Sequence, residues 1–322
     1  MMNFLTLLYT MKCSASCKIC CFGCNPERNE KMSVEQAKRY IDSALTLNTI
    51  NVVGFSGGEP LLYLDEICEL SQYITSRGIR AVGVSTNGFW ASTVDRTREV
   101  LTKLHLSGIR KLNLSADDFH QEFIPIDNLK NILDLAPEFN FTIDVSVMLA
   151  KGTSRLLDVL ANLGNNTSYI TFSEYRAQPV AQVLNNNIDV IKNKLSIDET
   201  STCNMLNALA IFPNGEVYPC CSHFCDNELL RIGNMNTDSI EEIRKKYNSN
   251  MVIRILRKHG FKWFVDKHPS FDVECVNLCD LCDKILHDKD KFYEIFGSHI
   301  EDEKQRIYEA YLTQQRVQSQ AV

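Results

Sequence analysis

The sequence predicts an α/β chain: a parallel strand-and-helix unit through about residue 175, followed by a smaller cysteine-rich region built on a β-hairpin and helices. Three observations predict it. Apolar runs alternate with helix-period segments from residue 3 onward, this alternation fades beyond about 176, and the thirteen cysteines gather in groups instead of spreading evenly. Strands alternating with helices mark right-handed parallel crossovers around one sheet.

The opening Met1-Met2-Asn3-Phe4-Leu5-Thr6-Leu7-Leu8-Tyr9 has no basic start and no small-residue cleavage site, so it reads as a buried first strand over 3–11, not a signal peptide. Apolar runs at 50–55, 80–86, 110–115, 141–149 and 168–173 read as five more strands. Helix-period segments near 34–47, 63–77, 92–105, 127–136 and 153–163 separate them. Ser33 and Gln36 form a capping box for the first helix. Six strands fall short of the eight of a closed barrel, and in barrels of this kind the chemistry sits at the carboxyl ends of the strands. Residues 182–202, with Asn185-Asn186-Asn187, read as a linker or flanking helix. Segments 208–212 and 216–220 flank Pro213-Asn214-Gly215 and read as a β-hairpin. The expected division is a barrel over 1–180, a linker over 181–202 and a second domain with C-terminal helices over 203–322.

With 322 residues, and roughly 150 per domain, the chain makes one large or two ordinary domains. Its 44% hydrophobic and 23% charged residues are a globular composition. A formal net charge of −6 excludes a general nucleic-acid binder, which needs a basic excess. No apolar run reaches the roughly 18 residues of a membrane span, so the expectation is a cytoplasmic protein with no membrane partner. In that reducing compartment the cysteines are ligands or reactive thiols, not disulfides.

Cys13, Cys17 and Cys20 lie in a Cys-x-x-x-Cys-x-x-Cys pattern directly after the first strand. Three thiolates in eight residues can wrap one iron–sulfur cube and leave one iron open. A zinc knuckle is the competing assignment, because Cys21 and Cys24 could complete its four ligands. The spacing resembles that of the radical S-adenosylmethionine (radical SAM) superfamily. This resemblance implies a partial (β/α)6 barrel in which SAM chelates the open iron and is cleaved to a 5′-deoxyadenosyl radical. Gly57-Gly58-Glu59-Pro60, after the second strand, resembles the family's SAM amino-group motif, its glycines letting backbone approach a ligand closely. By the same resemblance Ser85 and Asn87, after the third strand, and Ser115, after the fourth, are SAM contacts. Turns and helix caps account equally well for such polar tips. His120, in Ser115-Ala116-Asp117-Asp118-Phe119-His120, faces substrate or is a surface loop residue.

A hairpin with Cys203 before it and Cys220 at its end resembles the SPASM or shorter twitch extension of radical SAM enzymes. The resemblance implies an auxiliary cluster, with Cys279 and Cys282 completing its ligands, hence two [4Fe–4S] clusters in all. A closed zinc site is the alternative. The run Cys20-Cys21-Phe22, the doubled Cys220-Cys221 and the basic aromatic segment 254–264 are similar to the radical SAM peptide epimerases that make epipeptides. That segment also reads as an amphipathic helix end with its aromatics in the core. The resemblance implies a ribosomally made precursor peptide as substrate, conversion of L-residues to D-residues, and an electron donor of the flavodoxin or ferredoxin type. Because side chains alternate along a strand, Cys221 should point away from the cluster that Cys220 serves, toward the barrel mouth. In the resembled family the second cysteine of the pair returns hydrogen to the substrate; a buried inert cysteine or an eighth ligand is the other reading. Thioether crosslinking or dehydrogenation of a peptide is the second candidate reaction, and a non-catalytic iron–sulfur or zinc protein the third. Cys21, Cys24, Cys225 and Cys275 receive no role, and Cys68 reads as a small core residue.

Overall fold

The computed structural model describes residues 2–163, 169–221 and 227–320; Ser168, at the start of the sixth expected strand, and Cys225 lie outside the described residues. The first half alternates as expected: β1 (Phe4–Thr10), α1 (Val34–Leu45), β2 (Val52–Gly57), α2 (Leu64–Ser76), β3 (Ala81–Thr86), α3 (Val94–Leu106) and β4 (Lys111–Ser115). A one-turn helix α4 (Asp118–Gln121) follows, then α5 (Ile126–Leu135), β5 (Thr142–Leu149), α6 (Leu156–Leu163) and β6 (Ile170–Arg176). The Ser33 hydroxyl accepts from the Gln36 N–H and the Gln36 side chain reaches back, which is the capping box the sequence carries.

These six strands are parallel neighbours in the order β1-β2-β3-β4-β5-β6. Strand alternation sorts their side chains between two faces. Val53, Phe55, Val82, Val84, Leu112, Leu114, Ile143 and Val145 are fully buried beneath the helices, each contributing about 1.5–3 kcal/mol of burial. On the opposite face Gly54, Ser56, Gly83, Ser85, Asn113 and Ser115 are only partly buried. That face is the lumen of the partial barrel, and it is small-chained and polar.

The second half holds α7 (Ala181–Asn185), β7 (Asn193–Lys194), β8 (Ala208–Ile211), β9 (Glu216–Tyr218) and β10 (Gly233–Asn234). Helices α8 (Ile240–Ser249), α9 (Met251–Lys258) and α10 (Lys262–Lys267), strand β11 (Glu274–Cys275), and helices α11 (Leu278–Leu286) and α12 (Lys289–Gln320) complete it. The hairpin does not form a separate layer. Strand β8 pairs in parallel with β1 from Phe4↔Ala208 to Leu7↔Ile211, and β9 and β10 extend the same sheet to nine strands. The physical reason is that β8 is buried at every residue and β1 at all but its first, so each needs a neighbour along its edge. Within the expected linker, β7 pairs with β11.

The aromatics of segment 254–264 pack inward. Trp263 and Phe264 meet Phe296 of α12 at ring-centroid distances of 6.0 and 5.2 Å. Among the described residues no helix is long and apolar enough to cross a membrane.

Candidate active site

At the carboxyl ends of the parallel strands a cavity of about 220 Å³ is lined by Cys13, Cys17 and Cys20 of the loop after β1, by Gly57, Gly58 and Glu59 after β2, and by Ser85, Asn87 and Ser115 at the ends of β3 and β4. All nine residues assigned to cluster and SAM from the sequence therefore line one space. Parallel pairing brings them together, because each strand delivers its following loop to the same end of the sheet.

The two glycines allow close packing of backbone on backbone. A Cβ on Gly58 would lie 2.0 Å from the Lys12 carbonyl oxygen, and one on Gly57 would lie 2.2 Å from that of Thr10. The close approach is thus to the protein's own backbone. The Gly58 N–H donates to Thr10 O at 2.6 Å and the Glu59 N–H to Lys12 O at 2.8 Å. These bonds clamp the residues that lead into Cys13.

Glu59 is buried and accepts three hydrogen bonds, from the Leu61 N–H at 3.0 Å, the Asn87 N–H at 2.8 Å and the Thr86 hydroxyl at 3.0 Å. Burial pushes its carboxyl up to about 7, with the three donors pulling the other way. Glu59 therefore ties the end of β2 to that of β3 while facing the cavity. Asn87 in turn donates through Nδ2 to Ser14 Oγ at 3.0 Å and to Cys13 Sγ at 3.7 Å. The Cys24 N–H donates to Cys20 Sγ at 3.3 Å.

Three thiols facing one cavity, with N–H donors on the Cys13 and Cys20 sulfurs and the His120 ring on Cys17, are the donor set an iron–sulfur cluster takes, and such donors tune its potential. Cys21 and Cys24 also line the cavity. The Cys20 thiol is lowered to about 6, chiefly by its hydrogen bond with Cys24 and against burial, whereas that same bond raises Cys24. In this pair Cys20 is the thiolate and Cys24 its donor, which suits a ligand beside a supporting residue. Cys68 is half-buried on α2, away from the cavity.

The auxiliary set converges too. Cys279 and Cys282 lie one turn apart on α11, whose first N–H groups are capped by Asn277 Oδ1. Burial raises the Cys282 thiol, and the neighbouring Cys220, Cys203 and Cys279 raise it further. Cys275 sits apart in β11, paired with β7. Donor chemistry and enclosure fit a four-thiolate cluster.

Cys221 lines a second, larger cavity of about 560 Å³ in the lumen. Its backbone enters from the amino-terminal side, while its thiol is near enough to Cys21 of the thiol cavity to raise it. Strand β9 runs antiparallel to β8, and the Ala208 N–H donates to Pro219 O, so the chain returns to the amino-terminal ends of the parallel strands before reaching Cys221. Ser56 and Ser85 line both cavities, so the two spaces meet in the lumen.

The sequence reading left His120 undecided and did not pair it with Asp117. His120 lines the thiol cavity, and its Nδ1 lies 2.8 Å from Asp117 Oδ1. Burial opposes its charge, but hydrogen bonds to Asp117 and Cys17 outweigh that, and its pKa rises to about 10. The three-residue spacing across an Asp N-cap was the available signal: Asp117 caps α4 by accepting from the His120 N–H.

Family comparison agrees with this architecture. Residues 7–149 match the radical SAM superfamily and residues 203–283 match SPASM, an iron–sulfur cluster-binding domain. The chain is 26% identical over 293 residues to "Putative peptide biosynthesis protein YydG" of Bacillus subtilis (strain 168), covering 87% of this chain and 91% of that protein. Its fold is similar to native anSMEcpe with bound AdoMet, with TM-score 0.57, 13% identity, and coverage of 95% of this chain and 100% of that one. BtrN in complex with AdoMet and 2-DOIA gives TM-score 0.50 and 17% identity, covering 80% of this chain and 88% of that one. With its three-thiol loop at the barrel mouth and further thiols around the hairpin and on α11, the chain combines a radical SAM domain over residues 7–149 with a SPASM domain over residues 203–283, as a SAM- and [4Fe–4S]-dependent enzyme.

Proposed function

We propose that the enzyme inverts Cα centres in a ribosomally made peptide, turning L-residues into D-residues, with Cys221 as the hydrogen donor. One observation carries the reading: Cys221 lines the lumen at the amino-terminal ends of the strands, while the thiol loop and the proposed SAM contacts occupy the carboxyl ends. When bound, the cluster and SAM supply abstraction of the Cα hydrogen. A substrate held in the lumen between the two ends loses hydrogen toward one and receives it from the other, which inverts the centre.

In this assignment Cys13, Cys17 and Cys20 hold the SAM-binding cluster, and Cys203, Cys220, Cys279 and Cys282 hold the auxiliary one. Gly57, Gly58, Glu59, Ser85, Asn87 and Ser115 shape the SAM site. The Cys221 S–H bond breaks as the new Cα–H bond forms, and its sulfur regains hydrogen from one electron of a flavodoxin- or ferredoxin-type carrier and one solvent proton. The likeness to YydG, named for peptide biosynthesis, supports a peptide substrate.

In heavy water the Cys221 thiol exchanges its proton, so each inverted residue should gain one deuterium at Cα. Cys221→Ala should still cleave SAM and give no D-residue. Wild-type D-residue from that variant would overturn the donor role, and a product lighter by two hydrogens would replace epimerisation with crosslinking or dehydrogenation.

A further inference from the structure

The lumen cavity around Cys221 has a side that hydrogen transfer leaves unused. Thr6 of β1, Gly54 of β2, Gly83 of β3 and Lys111 of β4 are register partners, and so form one row across the lumen floor. All four line the same cavity as Cys221. Neighbouring strands lie about 4.8 Å apart, which puts Thr6 and Lys111 roughly 14 Å from each other along the sheet. Gly83 keeps the floor low beside Lys111, while the Phe4 ring lies over Gly54, 3.4 Å from where a Cβ there would stand. A Cβ on Gly83 would come within 3.3 Å of the Lys111 Cβ, so glycine there makes room for the lysine stem.

Both ends of the row have unmet bonding capacity among the described residues. Thr6 is only 4% exposed, yet its Oγ1 has no hydrogen-bond partner. A buried hydroxyl without a partner is costly unless a ligand supplies one. Lys111 forms no ion pair or hydrogen bond there, and the neighbouring Arg110 guanidinium is occupied by the His105 and Ile109 carbonyls. Arg80 adds a further cation to the cavity.

We infer that this row is a carboxylate-binding subsite, in which Lys111 and the Thr6 hydroxyl anchor an acidic group of the substrate peptide beside Cys221. The inference rests on the peptide reading above and adds the chemistry that selects the peptide. The carboxylate belongs to an Asp or Glu side chain or to a peptide C-terminus. Lys111, exposed at one end of the row, supplies the positive charge, and the Thr6 hydroxyl donates from the other.

The test uses the cluster-loaded enzyme with SAM and three fluorescein-labelled heptapeptides, followed by fluorescence anisotropy without turnover. They are Gly-Ala-Val-Glu-Val-Ala-Gly amide, its Glu→Gln counterpart as the amide, and that counterpart with a free C-terminal carboxylate. The wild-type enzyme should bind one or both acidic probes roughly tenfold more tightly than the neutral amide, and which one identifies the source of the carboxylate. Lys111→Gln should abolish the preference and Lys111→Arg should retain most of it. Thr6→Val removes the hydroxyl at constant shape, so it should weaken acidic-probe binding about threefold without lowering the melting temperature. A merely structural Thr6 would show the melting effect alone. Equal binding of the three probes, or a preference that survives Lys111→Gln, overturns the subsite and leaves the peptide reading standing. No binding of any probe up to about 1 mM overturns both.

Discussion

Replacing Gly58 with alanine tests whether the glycine pair positions the thiol loop. The new Cβ would lie 2.0 Å from Lys12 O, 2.5 Å from Lys12 C and 3.1 Å from Cys13 N. Ordinary contact begins near 3.4 Å, so the Lys12 carbonyl must retreat by about 1.4 Å, the difference between 3.4 and 2.0. That carbonyl is backbone and accepts the Glu59 N–H at 2.8 Å, so it cannot swing aside as a side chain would. Overpacking of this kind costs about 1–3 kcal/mol, and a lost hydrogen bond about 1 more. Because Cys13 is the next residue, the displacement moves the first thiol of the triad. Anaerobic reconstitution of Gly58→Ala should therefore lower iron from about eight per chain to about four, with the auxiliary set retained and SAM cleavage lost. Gly297→Ala is the control: no heavy atom lies within 4 Å of its added Cβ on α12, so iron stays unchanged and the helix gains up to about 1 kcal/mol. A Gly58→Ala enzyme with full iron content and wild-type formation of 5′-deoxyadenosine would refute the reasoning.

Glu59 makes a pH prediction. Its folded-state pKa of about 7 lies above the ordinary 4.5, so its contribution is fully present below 4.5 and is lost as pH rises through 7. Wild type should lose about 2–3 kcal/mol between pH 5 and pH 8 that Glu59→Gln does not lose, measured by chemical denaturation of both proteins. Cys220→Ala removes a proposed ligand of the auxiliary set, so iron should fall by about four per chain, whereas Cys221→Ala should keep its full complement. Iron and sulfide analysis decides this, and an iron deficit in Cys221→Ala would make that residue a ligand.

Much of the barrel was legible because its signal is local. Each strand carries its own two-residue alternation and each helix its own apolar stripe, so β1 to β6 could be read one at a time. The thiol triad was legible for the same reason: Cys13, Cys17 and Cys20 lie within a single loop. Glu59 was legible as a residue but not as a strut, because its partners Thr86 and Asn87 are 27 and 28 positions away. The Asp117–His120 pair was missed although its spacing marks a cap.

The sequence by itself determined that this chain forms parallel crossovers, that a three-thiol loop follows the first strand, and that a hairpin carries a second pair of thiols. Those are properties of contiguous residues, set by side-chain period and turn chemistry. Only the tertiary structure decided that β8 completes the edge of β1, that Gly57 and Gly58 pack against backbone, and that Cys221 stands at the amino-terminal end of the lumen. Each depends on which strand edges meet. Pairing of β8 with β1 satisfies two buried edges more than 200 residues apart, and the antiparallel return of β9 then carries Cys221 to the opposite end from Cys13.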